Sequence, residues 1–217
     1  QDTAGPMTKT VRGAAMMLSA MASGDAHTDY AAGLSGTSLE GKKIGVLRFS
    51  VSSQPGIAEN FDAALEALSA QGAELVEIPS FDRNVSNYGE KSFSVLLHEF
   101  KTTLNEYLAG TPDTVTTRTL TDLIAFNTEN ADKELQVFGQ DVFVLADATN
   151  GVEDESYKAA LAEIKLATGQ NGIDRLLSDY NVDLLVSPSG PVMPVVNENG
   201  PDAWPQWSGA GYLAAVA

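Results

Sequence analysis

Apolar residues recur along this chain at two different spacings, and the change between them marks its elements. Val11, Ala14, Ala15, Leu18 and Met21 fall three and four residues apart, the spacing of one helix face. Thr8 is the expected cap before them and Gly24 the expected stop. Residues 25–42 carry Gly, Ser, Thr and Asp without periodicity and read as a surface connection. Lys43-Ile44-Gly45-Val46-Leu47-Arg48-Phe49 then reads as a strand. Ile57, Phe61, Ala64, Leu65 and Leu68 mark a helix face after Pro55, and Gly72 closes it. Ala73-Glu74-Leu75-Val76-Glu77-Ile78 reads as a second strand. Strand, helix and strand in that order predict a βαβ crossover with its strands parallel.

A helical stretch follows. Phe93, Leu96, Leu97, Phe100 and Leu104 form one predicted stripe, closed by Gly110-Thr111-Pro112. Thr119 and Asp122 have the spacing of a capping box ahead of Leu120, Leu123 and Ile124. A further helix is expected over Glu134 to Ala148, and another over Ser156 to Thr168 with Tyr157, Leu161 and Ile164 inward. Gly169-Gln170-Asn171-Gly172 is expected to interrupt it, with Ile173, Leu176 and Leu177 on the continuation. Val182-Asp183-Leu184-Leu185-Val186-Ser187 reads as a third, buried strand ended by Pro188. The organisation expected is a leading arm and helix over 1–24, a surface connection over 25–42, and an α/β body over 43–217.

Composition narrows the function. A hydrophobic share of 43% and a charged share of 19% suit a globular chain able to bury a core. Apolar runs break off well before the ~18 residues a membrane span requires. No basic segment precedes an apolar one at the start, so no signal peptide is visible in these residues; a cytoplasmic compartment is taken by default, with an exported form left open. The net charge of −16, from 29 acids against 13 bases, argues against nucleic acid and anionic membranes as partners. With no cysteine, thiol nucleophiles, thiolate metal sites and disulfides are excluded.

Candidate chemistry is sparse. A Ser-His-Asp triad requires histidine, and only His27 and His98 exist. His27 lies in the polar connection and His98 beside Leu97 in a helix, and both read as structural. Gly33-Leu34-Ser35-Gly36-Thr37 misses the last glycine of a serine elbow. Neither glycine-rich phosphate motif is present. The acids Asp25/Asp29, Glu129/Asp132 and Glu153-Asp154-Glu155 lack calcium-loop spacing and read as solvated groups, the last set near a helix start. No metal site is expected. Trp204-Pro205-Gln206-Trp207 places two indoles on an irregular segment, where they line an apolar pocket or cover a core edge.

The opening, Gln1-Asp2-Thr3-Ala4-Gly5-Pro6-Met7-Thr8-Lys9-Thr10-Val11-Arg12, resembles the segment that follows the nucleophile loop in amidase signature enzymes, D-T-x-G-P-M-x-R-T-V-x-D-A-A. Asp122-Leu123-Ile124-Ala125-Phe126-Asn127 is similar to the family's D-L-I-A-F-N, and Phe138-Gly139-Gln140-Asp141 to its F-G-Q-E. Gly172-Ile173-Asp174 and Val182 to Ser189 resemble its L-D-A-L-V-A-P-T strand and turn, and Ala214-Ala215-Val216-Ala217 the start of P-A-V-A-G-Y-P.

The resemblance implies an α/β chain forming the central part of an amidase signature fold, a mixed sheet covered by helices and incomplete at its C-terminal end. It implies hydrolysis of carboxamides by a serine nucleophile, with a second serine in a cis peptide and a lysine as general base. In the family these three lie upstream of the opening motif. No catalytic residue is therefore transferred to this chain, which is expected to be inactive alone, and no metal or organic cofactor is implied.

Three regions remain candidates for the substrate pocket. Gln1, Asp2 and Thr3 would leave the nucleophile loop and line the acyl pocket, or serve only as a helix lead-in. Phe138 and Gln140 are the second, with Gln140 alternatively a solvated amide. Ser187 to Trp207 would sit at the end of a core strand, where pockets of α/β sheets open. The expected partners are a small-molecule amide in the intact protein and the remaining segments of the parent polypeptide, with exposed apolar surface also favouring a homodimer. The competing reading is a non-catalytic α/β module that binds a small ligand.

Overall fold

A computed structural model describes residues 4–22, 28–35, 38–192 and 208–217. Gln1, Asp2, Thr3, His27, Trp204 and Trp207 lie outside the described residues. The chain divides into two compact units. The first holds the described residues of 1–80, 176–191 and 207–210, the second those of 81–175, 192–206 and 211–217.

The first unit opens with helix α1, Val11–Met21. Its cap is Thr10 rather than Thr8: the Thr10 hydroxyl accepts from the Gly13 N–H at 3.0 Å, while the Thr8 hydroxyl donates to the Thr10 carbonyl. A cap needs extended backbone followed at once by helix, and Thr10 meets that condition. Strand β1, Lys43–Leu47, is followed by helix α2, Ile57–Ala70, and strand β2, Glu74–Ile78. Gly56, in the left-handed region at φ 83°, turns the chain into α2, and its N–H donates to Glu59. Strand β3, Leu184–Val186, completes a parallel sheet ordered β2-β1-β3. The resemblance implies a mixed sheet; all strand pairs among the described residues are parallel.

Central position explains burial in this sheet. Ile44, Val46 and Leu47 of β1 are buried, as β1 has a neighbour on both edges. Gly45 belongs there because a Cβ would stand 2.8 Å from Leu185 and 2.9 Å from Ile78. The third strand is the exception to its expected burial: Leu184 is 48% exposed. It occupies an edge, and only one of its sides is paired.

The second unit is helical. Helix α3, Tyr88–Ala109, packs on α7, Glu155–Thr168, around Val95, Tyr157, Ala160, Ile164 and Val216. Val216 belongs to α9, Gly211–Val216. The inward face of α3 is Val95, His98 and Leu108, while Phe93, from the expected stripe, is 44% exposed. His98 and Thr102 can turn inward because each is satisfied by its own helix, His98 Nδ1 at the Ser94 carbonyl (2.8 Å) and Thr102 Oγ1 at the His98 carbonyl (3.2 Å).

The capping box is present. Thr119 Oγ1 accepts from the Asp122 N–H and Asp122 Oδ2 from the Thr119 N–H, starting α4, Leu120–Glu129. The helix expected over 134–148 is two, α5 (Ala131–Glu134) and α6 (Asp141–Asp147), separated at Leu135 to Gln140. After α7 the glycines of 169–172 widen the helix rather than break it. Gly169–Asp174 forms a π turn that runs into α8, Arg175–Asp179.

Candidate functional site

The described candidates fall in two places, one in each unit. In the second unit the interruption between α5 and α6 opens a cleft of about 250 Å³. Asn127, Leu135, Phe138, Gln140, Val142 and Phe143 line it. Phe138 is 69% exposed at its edge, and Phe143 stacks on Phe100 with ring centroids 5.4 Å apart. The volume is below the ~300 Å³ at which whole small-molecule pockets begin, so the cleft suits one side chain or substituent.

Gln140 is neither solvated nor free. Its Nε2 donates to the Ile124 carbonyl at 3.2 Å and to Thr128 Oγ1 at 3.0 Å, and its Oε1 accepts from Asn127 Nδ2 at 3.2 Å. The amide thus ties the start of α6 to the body of α4. It shapes the cleft by fixing where the helix restarts.

In the first unit Ser187 stands just past β3, at the carboxyl edge of the sheet. Its hydroxyl donates to the Pro188 carbonyl and accepts from the Ala210 N–H at 3.2 Å. Beside this runs a serine tie that sequence reading did not single out. Ser208 is fully buried; its Oγ accepts from the Ser52 N–H (3.2 Å) and donates to the Ser50 carbonyl (3.3 Å). Gly209 N–H donates to the same carbonyl at 2.8 Å. The only signal in the sequence was a run of serines, Ser50, Ser52 and Ser53, after a strand.

These hydroxyls are not activated. A serine nucleophile requires a base within hydrogen-bond reach. Among the described residues the four serines bond to main-chain atoms, and none bonds to lysine or histidine. His98 is buried, stacked on Tyr157 at 5.7 Å. No three His, Cys, Asp or Glu side chains converge among the described residues. Asp154 caps α7, accepting from Ser156 and Asn150, and those bonds hold its carboxyl well below the usual range. The carboxylates of Glu134 and Asp141 also line the cleft of the second unit.

Comparison with known proteins supplies what geometry alone does not. A probable amidase of Arabidopsis thaliana is 30% identical over 204 residues, 86% of this chain and 38% of that protein. The structure of a peptide amidase bound to the competitive inhibitor chymostatin superposes with a TM-score of 0.79 at 31% identity, over 99% of this chain and 45% of that one. The native peptide amidase of Stenotrophomonas maltophilia gives a TM-score of 0.75 at 32% identity, over 100% of this chain and 45% of that one. The chain therefore spans less than half the length of these relatives. The sequence model of the family described as Amidase matches residues 1–204, and the chain belongs to that family.

Proposed function

We propose that this chain is part of an amide hydrolase that cleaves carboxamide C–N bonds, with its serine nucleophile and general base outside these residues. The observation that carries the reading is the superposition on peptide amidase over 99% of this chain, though only 45% of that enzyme. Support comes from the site chemistry. The hydroxyls of Ser50, Ser52, Ser187 and Ser208 bond to main-chain atoms and not to lysine or histidine.

In this reading Phe138 and Gln140 shape a subsite for one substituent of the amide. Separately, Gln1, Asp2, Thr3, Ser187 and Trp207 are the pocket candidates of the first unit. The substrate is a small carboxamide, and the rest of the parent polypeptide is the chain's main partner. Helix α1 favours such a partner, since it buries none of its residues and leaves Met16, Met17 and Leu18 exposed.

The test is hydrolysis of an aryl amide by a sample whose intact mass corresponds to these 217 residues alone. No turnover is expected, and turnover is expected of a longer polypeptide containing this chain. Turnover by the chain alone would overturn the external nucleophile; none by the longer protein would overturn the hydrolase reading.

A further inference from the structure

Arg83 stands apart from Arg48, Arg118 and Arg175 of this acidic chain. Arg48 is spent on Glu77 and Asp62, Arg118 on the carbonyls of Leu108, Thr111 and Pro112, and Arg175 on the Asp82 carbonyl. Arg83 instead lies against two adjoining aromatic rings of the second unit. Its guanidinium carbon is 4.8 Å from the Tyr88 ring centroid and 4.6 Å from that of Tyr212. The rings meet edge-on at 5.9 Å. Arg83 Nε donates to the Tyr212 hydroxyl at 3.1 Å, which fixes the guanidinium at its Nε edge in addition to its ring contacts.

Two observations leave this cation open. Its terminal nitrogens have no partner among the described residues, and the side chain is exposed. The adjacent carboxylate is committed elsewhere: Asp82 Oδ1 accepts from the Asn84 N–H at 2.9 Å. The Asn84 amide, oriented as its neighbours require, donates to Asp82 Oδ2 (3.2 Å) and accepts from Arg175 (2.7 Å). One donor also remains beside the guanidinium. The Tyr212 hydroxyl accepts from Arg83 and keeps its own proton to give. The Tyr88 hydroxyl is the buried side-chain polar atom among the described residues that lacks a partner. Tyr88 begins α3, so the positive end of that helix is here too, offset in part by Glu90 in its first turn.

We propose that Arg83, clamped by Tyr88 and Tyr212, anchors a binding site for a small carboxylate. A planar guanidinium held with its outer edge free matches the two oxygens of a carboxylate in a paired geometry. Holding it in advance removes the ordering cost that a mobile surface arginine pays on binding. The site does not depend on the hydrolase reading.

Calorimetric titration of the 217-residue chain tests it with benzoate and benzamide, which share a ring and differ in the group Arg83 would read. Benzoate is expected to bind at least about tenfold more tightly than benzamide. R83Q is expected to lose that preference, R83K to keep only part of it, and Y212F to weaken benzoate with the stacked ring retained. Unfolding midpoints of each variant establish that it is folded. Equal binding of the two probes, no binding of benzoate, or an unchanged preference in R83Q would overturn the proposal. Tighter binding of inorganic phosphate than of benzoate would overturn the carboxylate assignment.

Discussion

Lys43 and Asp183, 140 residues apart, close one edge of the sheet with a reciprocal pair of bonds. The Lys43 N–H donates to Asp183 Oδ2 at 2.9 Å, and the Asp183 N–H donates to the Lys43 carbonyl at 2.8 Å. The pair sets the register of β3 on β1 before the first ladder partners, Ile44 and Leu184. Substituting Asp183→Ala removes one of the two bonds. The expected cost is about 1 kcal/mol, read as a lower unfolding midpoint in urea. No change in that midpoint would show that the ladder holds the register without the side chain.

Gly45 offers a sharper test of packing. A methyl group there meets the side-chain ends of Leu185 and Ile78 below 3.0 Å, and those ends must repack around it. Gly45→Ala is expected to destabilise the first unit by about 1–3 kcal/mol. Circular dichroism during thermal unfolding would show it as an earlier transition. A variant as stable as the parent would mean that the sheet opens at lower cost than this packing allows.

The pH dependence of stability follows from Arg48 and Glu77. The hydrogen bond from Arg48, reinforced by its charge, holds the Glu77 carboxyl below its ordinary value of 4.5. A depressed folded-state value stabilises above the unfolded one, and that contribution disappears as pH falls through the folded value. The pair is more than half exposed at Glu77, so the effect is a fraction of about 1 kcal/mol. E77Q is therefore expected to be slightly less stable than the parent at pH 7, with the gap closing below pH 4.5. A gap that widens in acid would assign the wrong sign to the interaction.

Gln140 carries three hydrogen bonds to α4, and Gln140→Ala removes them all. A loss of about 1–2 kcal/mol is expected, since the bonds are only partly buried. Hydrogen exchange of the α6 amides should speed up more than that of α3. Uniform acceleration would mean that Gln140 supports the unit as a whole rather than the restart of α6.

Local elements were readable because their causes are local. Two strands of the sheet, the Thr119–Asp122 box and the run of α7 follow from spacing and near-neighbour bonds, and each stands close to its expected bounds. The face of α3 was not readable in the same way. Both Phe93-Leu97-Phe100 and Val95-His98-Thr102 fit helical spacing, and apolar character favours the first. The second carries the buried Val95 and His98, with His98 bonded to its own helix, while in the first Leu97 and Phe100 are half-buried, Phe100 stacks on Phe143, and only Phe93 is exposed. Gln140 shows the same limit for a site residue: its type suggested a solvated amide, and its partners lie on a different helix.

By itself the sequence determined the order of strands and helices, the absence of thiol chemistry and the family, the last through short motifs that recur in a set order. Tertiary structure alone decided which polar groups are spent and which remain open. Ser208 joins Ser50 and Ser52 across 158 and 156 residues, and Arg83 meets Tyr212 across 129. Nothing in the residue types announces these pairings. They arise when the chain closes on itself, because a buried hydroxyl or a stacked guanidinium takes the partner that packing brings to it, whatever the distance along the sequence.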